Sequence, residues 1–326
     1  MIGLAWVIQA QQQHGEVRYD ATLGADERER LGAHYTPMAW ARRIVEQALY
    51  PMLFHPEGLH CGRCTPSTII RDIQIIDPAC GDGVFLDAGA DILSALLFGS
   101  YRAEDRDISL ADVRREVLAN CIIGLDIDPG AIAASRERLG PEAELHCVDS
   151  LLDMKVRTRG RPTAFVGNPP FLGGMRIGSV LGRDYQQQLR RSYPYSKGGA
   201  DLSSYFLMSA ARDLIASRTV GTVGMVFTKT ISQGVTREAA LEPLLHSLGF
   251  WIYRAETNVP WPGEAAVSVS IVHLANKRLS WALWPEEMVK RAMVFPACFP
   301  DEPMQVFRDH VVHIQKPVRA ERQAAP

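Results

Sequence analysis

Along the chain, short apolar runs alternate with longer stretches in which apolar residues recur every three or four positions. A brief apolar run bounded by turn residues reads as a buried strand, and the 3.6-residue period reads as a helix. The first run, 73–76, ends in Asp77-Pro78-Ala79-Cys80-Gly81-Asp82-Gly83 and leads into a predicted helix over 84–98 that opens with Val84 and Phe85. A second strand, predicted over 121–125, ends at Asp126-Ile127-Asp128-Pro129, and a helix over 130–139 follows. A third, 144–148, ends at Asp149-Ser150, and a fourth, 163–166, ends at Gly167-Asn168-Pro169-Pro170-Phe171. This alternation predicts a largely parallel, doubly wound α/β sheet. In such sheets ligands bind beyond the carboxyl ends of the strands, where every polar cluster named above lies.

The second half continues in kind, with a helix over 201–215, a buried strand over 221–227 and a helix over 236–248. Two closing strands, 250–255 and 267–274, flank Pro260-Trp261-Pro262-Gly263. Upstream, Pro37 suits the first turn of a helix running through Ile44 and Ala48. The expected organisation is an N-terminal helical extension over 1–30, a catalytic domain over 31–276 and a C-terminal extension over 277–326. The N-terminal apolar stretch lacks a basic leader and a small-residue cleavage site, so it is expected to pack as a helix.

Composition narrows the class without naming a function. With 326 residues, 47% hydrophobic and 22% charged, the chain fits a globular protein with a sizeable core. No uninterrupted apolar run approaches the roughly 18 to 20 residues of a membrane span. The six cysteines sit in strand-like or loop contexts, which points to a reducing, cytoplasmic setting. Cys61 and Cys64 form one CxxC without a second pair, so no metal is expected. The net charge is −2, yet from Lys155 to Ala200 nine basic residues stand against Asp184 alone. Such a stretch suits a phosphate backbone, and a solvated face gives the same pattern.

Candidate chemistry gathers at the strand ends. The turn after the first strand has Gly81 and Gly83 spaced as GxG but lacks the third glycine and the lysine of phosphate-binding loops. An acidic residue, Asp77, opens it, which suits a cationic ligand such as S-adenosylmethionine better than a pyrophosphate. Asp126 is placed to accept from ribose hydroxyls. Asp149 is placed to accept from an adenine amine. In Asn168-Pro169-Pro170-Phe171, a side-chain carbonyl and a backbone carbonyl on a proline-stiffened loop would accept from an exocyclic amine and free its lone pair. Phe171 offers a face on which a base stacks.

Taken in order, these motifs resemble the gamma-motif-order group of DNA adenine-N6 methyltransferases, especially the methylase portion of type IIG restriction–modification enzymes and phage-defence methylases. Gly32-Ala33-His34-Tyr35-Thr36-Pro37 is similar to the upstream motif of that group. Residues 199–206 and 221–234 are similar to its later helix and strand–loop motifs. The resemblance implies a Rossmann-like class I S-adenosylmethionine-dependent methyltransferase fold ending in an antiparallel hairpin. It implies DNA as substrate and Asn168, Pro169, Pro170 and Phe171 as the catalytic tetrapeptide. Tyr35, Thr36, Pro37, Asp77, Ala79, Cys80, Gly81, Gly83, Phe85, Asp126, Ile127, Asp149, Ser150 and Asn168 would surround the cofactor, with Phe171 and Trp261 stacking on the target base. Protein-glutamine and ribosomal-RNA methyltransferases carry similar tetrapeptides, so these acceptors stay open, as does a non-catalytic subunit that binds cofactor or DNA. About fifty residues follow Asn276, fewer than a typical target-recognition domain has, so the expectation is either a separate specificity subunit as partner or a truncated chain.

Overall fold

The computed structural model describes residues 36–53, 67–153, 155, 157–261 and 268–276. The proposed extensions over 1–30 and 277–326, Tyr35 and the CxxC lie outside the described residues.

Seven strands form one sheet: β1 (Gln74–Asp77), β2 (Ile122–Asp126), β3 (Glu144–Cys147), β4 (Thr163–Gly167), β5 (Gly221–Thr228), β6 (Phe250–Pro260) and β7 (Ser268–Asn276). Their order is β3-β2-β1-β4-β5-β7-β6. The first five are parallel, with Ile75 opposite both Ile122 and Ala164. β5–β7 and β7–β6 are antiparallel. β1, β2 and β4 are buried along their whole length because helices cover both faces, which is why they read as continuous apolar runs. β3, at one edge, is only half-buried.

One face packs against α1 (Met38–Leu53), α3 (Val84–Ala103), α4 (Leu110–Cys121) and α5 (Pro129–Leu139), through Ile44, Leu93, Val117 and Ile132. A short helix, α2 (Ser67–Asp72), precedes β1. The other face carries α6 (Gly174–Val180), α7 (Arg183–Ser192), α8 (Leu202–Ala216) and α10 (Leu241–His246), through Ile177, Leu189, Phe206 and Leu244. Between β5 and α10 lie a 3-10 turn (Lys229–Ser232) and α9 (Gly234–Ala239). α3 is long and apolar enough to cross a membrane by composition alone, but most of it is buried inside this fold.

The structure departs from the expected elements in two instructive places. α4 lies where no element is expected, although its buried Val113, Val117 and Cys121 recur every four positions with Leu118 beside them. Its start is marked by a cap as well: the Asp112 N–H donates to Ser109 Oγ at 3.1 Å. The helix expected over 236–248 is two helices, α9 and α10, broken at Ala240 (φ −128°, ψ −69°). Pro243 explains the break, since it has no N–H to give Ala239 and its ring crowds that carbonyl.

Candidate active site

The sheet order reverses between β1 and β4, so the crevice at their carboxyl ends is where this topology binds ligands. Asp77 ends β1 and Gly167-Asn168 ends β4. The two are in intimate contact: a Cβ on Gly167, at φ +153°, would stand 2.6 Å from Asp77 Oδ1. Only glycine lets the strand end come so near that carboxyl.

Asp77 Oδ1 accepts from the Ala79 N–H at 3.0 Å, while Oδ2 is buried with no hydrogen-bond partner among the described residues. Burial, reinforced by Asp126 and Asp82, pushes this carboxyl well above the usual carboxylate range. A buried acid with an oxygen to spare is the electrostatic counterpart of a cation or of a charged hydrogen-bond donor.

Asp126, fully buried, is less free. Its Oδ2 accepts from the Gly81 N–H and its Oδ1 from the Asp128 N–H, each at 2.9 Å. Burial raises it to about 7 against the pull of these donors. It ties the turn after β1 to the turn after β2. Asp128 then caps α5, accepting from the Gly130 N–H at 2.7 Å. Gly81 (φ +56°) and Gly83 (φ +80°) make the turn tight. Two residues of α5 finish the brace: Ser135 Oγ donates to the Gly81 carbonyl at 2.7 Å, and Arg138 holds the Asp82 carbonyl and carboxylate at 2.8 and 2.7 Å. Neither Ser135 nor Arg138 was legible as a site residue, since both lie more than fifty positions from the loop they hold.

Asp149, half-buried beyond β3, spends Oδ1 on the N–H groups of Leu151 and Leu152 at 2.9 and 3.0 Å, and burial raises it to about 6. Ser150 Oγ donates to the Pro78 carbonyl at 2.6 Å, fastening this loop to the one after β1. The side chains of Ala79, Cys80, Phe85 and Ile127 are buried in the core clusters on either side of the sheet, which places them as packing beneath the loops.

Asn168, Pro169 and Pro170 are buried, and Phe171 is half-buried. Asn168 Nδ2 donates to Thr36 Oγ1 at 3.1 Å, bringing the upstream motif to the tetrapeptide across 132 positions of chain. Pro37 starts α1 immediately after, its carbonyl accepting from the N–H groups of Trp40 and Ala41. Trp261 is only 6% exposed and packs on Trp40, ring centroids 5.5 Å apart and planes at 55°. Phe171 packs against the same cluster. Arg43 stacks over Trp40 and pairs with Glu256 of β6, so α1 joins the closing strands to the crevice.

The basic stretch divides in two. Arg161 donates to the carbonyls of Arg71, Asp72 and Asn120 at 2.6–3.0 Å, beneath the amino ends of β1 and β2 and away from the crevice. Arg157 pairs with Asp153 and Arg159 with Glu144. These three hold the domain together. Arg183, Arg190 and Arg191 lie exposed on α7, whose other side buries Tyr185 and Leu189. Lys197 pairs with Glu238, and the loop it belongs to is pressed against α6: a Cβ on Gly174 would meet the Ala200 carbonyl at 2.4 Å.

No family model matches the chain. Among solved structures, the Type IIL restriction-modification enzyme MmeI in complex with DNA aligns with a TM-score of 0.57 over 84% of this chain and 40% of that one, at 20% identity. The chain shares its fold with restriction–modification methyltransferases. A modification subunit of a putative type I restriction enzyme from Vibrio vulnificus YJ016 aligns with a TM-score of 0.50 over 77% of this chain and 46% of that one, at 16% identity. By sequence, the chain is 28% identical over 153 residues to the ribosomal RNA large subunit methyltransferase K/L of Methylococcus capsulatus. That match covers 39% of this chain and 20% of the relative. The chain therefore spans less than half the length of each of these proteins. Its class I methyltransferase fold, a mostly parallel seven-stranded sheet closed by two antiparallel strands, is the one the motifs imply.

Proposed function

We propose that this chain transfers a methyl group from S-adenosylmethionine to the N6 amine of an adenine flipped out of DNA, in the cytoplasm, as the methylase part of a restriction–modification or phage-defence system. The observation that carries this reading is the packing of Gly167, the residue before Asn168, against Asp77 at the β1/β4 switch point.

The residues present fit the cofactor. Asp77 has a buried oxygen without a partner among the described residues, and three buried or half-buried carboxyls line the strand ends, a set suited to an ammonium and sulfonium ligand rather than a phosphate. Asp77 and the backbone of the Thr36-Pro37 turn would hold its methionine end. The Gly81–Gly83 turn and Asp126 would hold the ribose, and Asp149 the adenine. S-adenosylmethionine supplies an electrophilic methyl group when bound. The chain does the rest by position. Asn168 Oδ1 and the Pro169 carbonyl would each accept from the N6 amine, turning its lone pair out of conjugation and toward the methyl. Phe171 supports one face of the base and Trp261, resting on Trp40, the other. The exposed arginines of α7 meet phosphates, and target choice falls to a separate specificity subunit or domain.

The test is methyl transfer from labelled S-adenosylmethionine to mixed-sequence DNA, with nucleosides identified by mass. Label in N6-methyladenine, lost by at least a hundredfold in Asn168→Ala while cofactor binding by calorimetry persists, is the expected result. A second reading, transfer to an RNA base, is favoured by the similarity to the ribosomal RNA methyltransferase. An RNA arm decides between them: label on RNA and none on DNA sinks the DNA reading.

A further inference from the structure

A carboxamide has a near two-fold ambiguity. Its oxygen and nitrogen are almost the same size, yet only the oxygen accepts and only the nitrogen donates. For the chemistry proposed above the difference is absolute, since an Asn168 presenting Nδ2 to an amine would set donor against donor. Something in the protein must hold the amide one way round, and must do so before the base arrives.

We infer that Thr36 is a positioning residue, whose hydroxyl fixes the Asn168 carboxamide with its oxygen toward the substrate amine; this rests on the proposed amine-methylating reading. Thr36 Oγ1 accepts from Asn168 Nδ2 at 3.1 Å, within the normal range for such a bond. Thr36 is fully buried and Asn168 is 6% exposed, so water does not compete for this contact. The surroundings keep the hydroxyl in place. Thr36 precedes Pro37, whose ring restricts its backbone, and Pro37 opens α1, a sixteen-residue helix buried along one side. α1 is anchored to the sheet in turn: Ile44 donates no side-chain bond, but its carbonyl meets His273 Nε2 at 3.1 Å, and the Ala48 carbonyl accepts from Thr222 Oγ1 at 2.8 Å. On the other side, Gly167 packs against Asp77 as the chain leaves β4, which holds the backbone next to Asn168. The amide is thus set between two rigid elements, with its nitrogen committed to one of them. A threonine in an upstream motif whose expected part is to contact the cofactor would then serve the transfer step as well.

The experiment uses Thr36→Val, which keeps the shape and removes the hydroxyl, Thr36→Ser, which keeps the hydroxyl, and Thr36→Ala should the valine variant fail to fold. In the full chain labelled with 15N-asparagine, the resonance missing from Asn168→Ala identifies the Asn168 side-chain amide. The inference expects its proton shifts to move and its exchange with solvent to quicken in Thr36→Val, and to stay near wild type in Thr36→Ser. Kinetically, kcat falls on the order of a hundredfold in Thr36→Val, as for a misplaced reacting group. The KM for DNA and the cofactor Kd stay within about twofold of wild type, and Thr36→Ser recovers most of the loss. An Asn168 amide resonance that is the same in Thr36→Val as in wild type overturns the inference whatever the reaction proves to be. Cofactor affinity lost in step with kcat overturns it as well, because Thr36 would then act on the cofactor. Absence of methyl transfer to DNA adenine in the wild type overturns the proposed function instead, and the resonance measurement still decides the hydrogen bond.

Discussion

Gly167 and Asp126 show how single residues set the crevice. An alanine at 167 would carry its Cβ into Asp77 Oδ1 at a φ of +153°. Gly167→Ala is expected to cost about 1–3 kcal/mol of stability, the range for backbone strain of this kind. It should also weaken S-adenosylmethionine binding; a lowered urea midpoint and a raised calorimetric Kd check the two together. Asp126 predicts a pH dependence of definite sign. Burial raises it to about 7, above its unfolded value, so the folded state binds the proton more tightly. Its contribution to stability is present below the unfolded value and lost as pH rises through the folded one. The ligand-free protein is therefore expected to lose stability between about pH 4 and pH 7, and Asp126→Asn to flatten that slope in urea titrations; an unchanged slope would exclude Asp126 as its source. The chain pattern reveals that Asp77, Asp126 and Asp149 share an edge, because each follows an apolar run. It does not reveal that both Asp126 oxygens are taken by backbone N–H groups, since that depends on loops 45 positions apart closing on one another.

At the level of elements, charge in sequence proves a poor guide to charge in space. Nine basic residues run from 155 to 200, but Arg157, Arg159 and Arg161 hold partners within the domain while Arg183, Arg190 and Arg191 lie exposed on α7. Arg161 caps the carboxyl ends of α2 and α4 by holding three of their carbonyls, so Arg161→Ala should destabilise by about 1–3 kcal/mol, the range for hydrogen bonds from a charged donor. It should leave DNA affinity untouched. Arg191, exposed on α7, should behave the other way: Arg191→Ala is expected to weaken binding evenly across sequences and reduce the slope of log K against log salt by about one, with stability unchanged. Filter binding across a salt series beside thermal melts separates the two. The strands and the helices with a full apolar stripe were legible because burial on one face imposes a period. α4 was legible on the same ground, from Val113, Val117 and Cys121 at helical spacing and from the cap of Ser109 and Asp112, yet it falls outside the expected elements. The α9–α10 break was readable from Pro243 alone.

Across the whole molecule, the topology puts the loops proposed to hold the cofactor on β1, β2 and β3 and the tetrapeptide on β4, with α1 bridging from the tetrapeptide to the far strands. The fold and the placement of the crevice followed from motif order, while the bridging role of α1 had no signal in its own residues beyond a helical period. One feature of the sheet also governs the order in which the protein becomes complete. Among the described residues β6 bonds only to β7, and β7 lies between it and β5. A ribosome releases β6 first, so that strand has no neighbour to join until the next one emerges, and the flank of β5 stays bare meanwhile. Trp261 stands at the close of β6, which means the platform proposed for the target base settles only when the last strand slots in. A nascent chain could thus hold a formed crevice before it has the aromatic surface proposed for the target base, a built-in delay between the two halves of the proposed site.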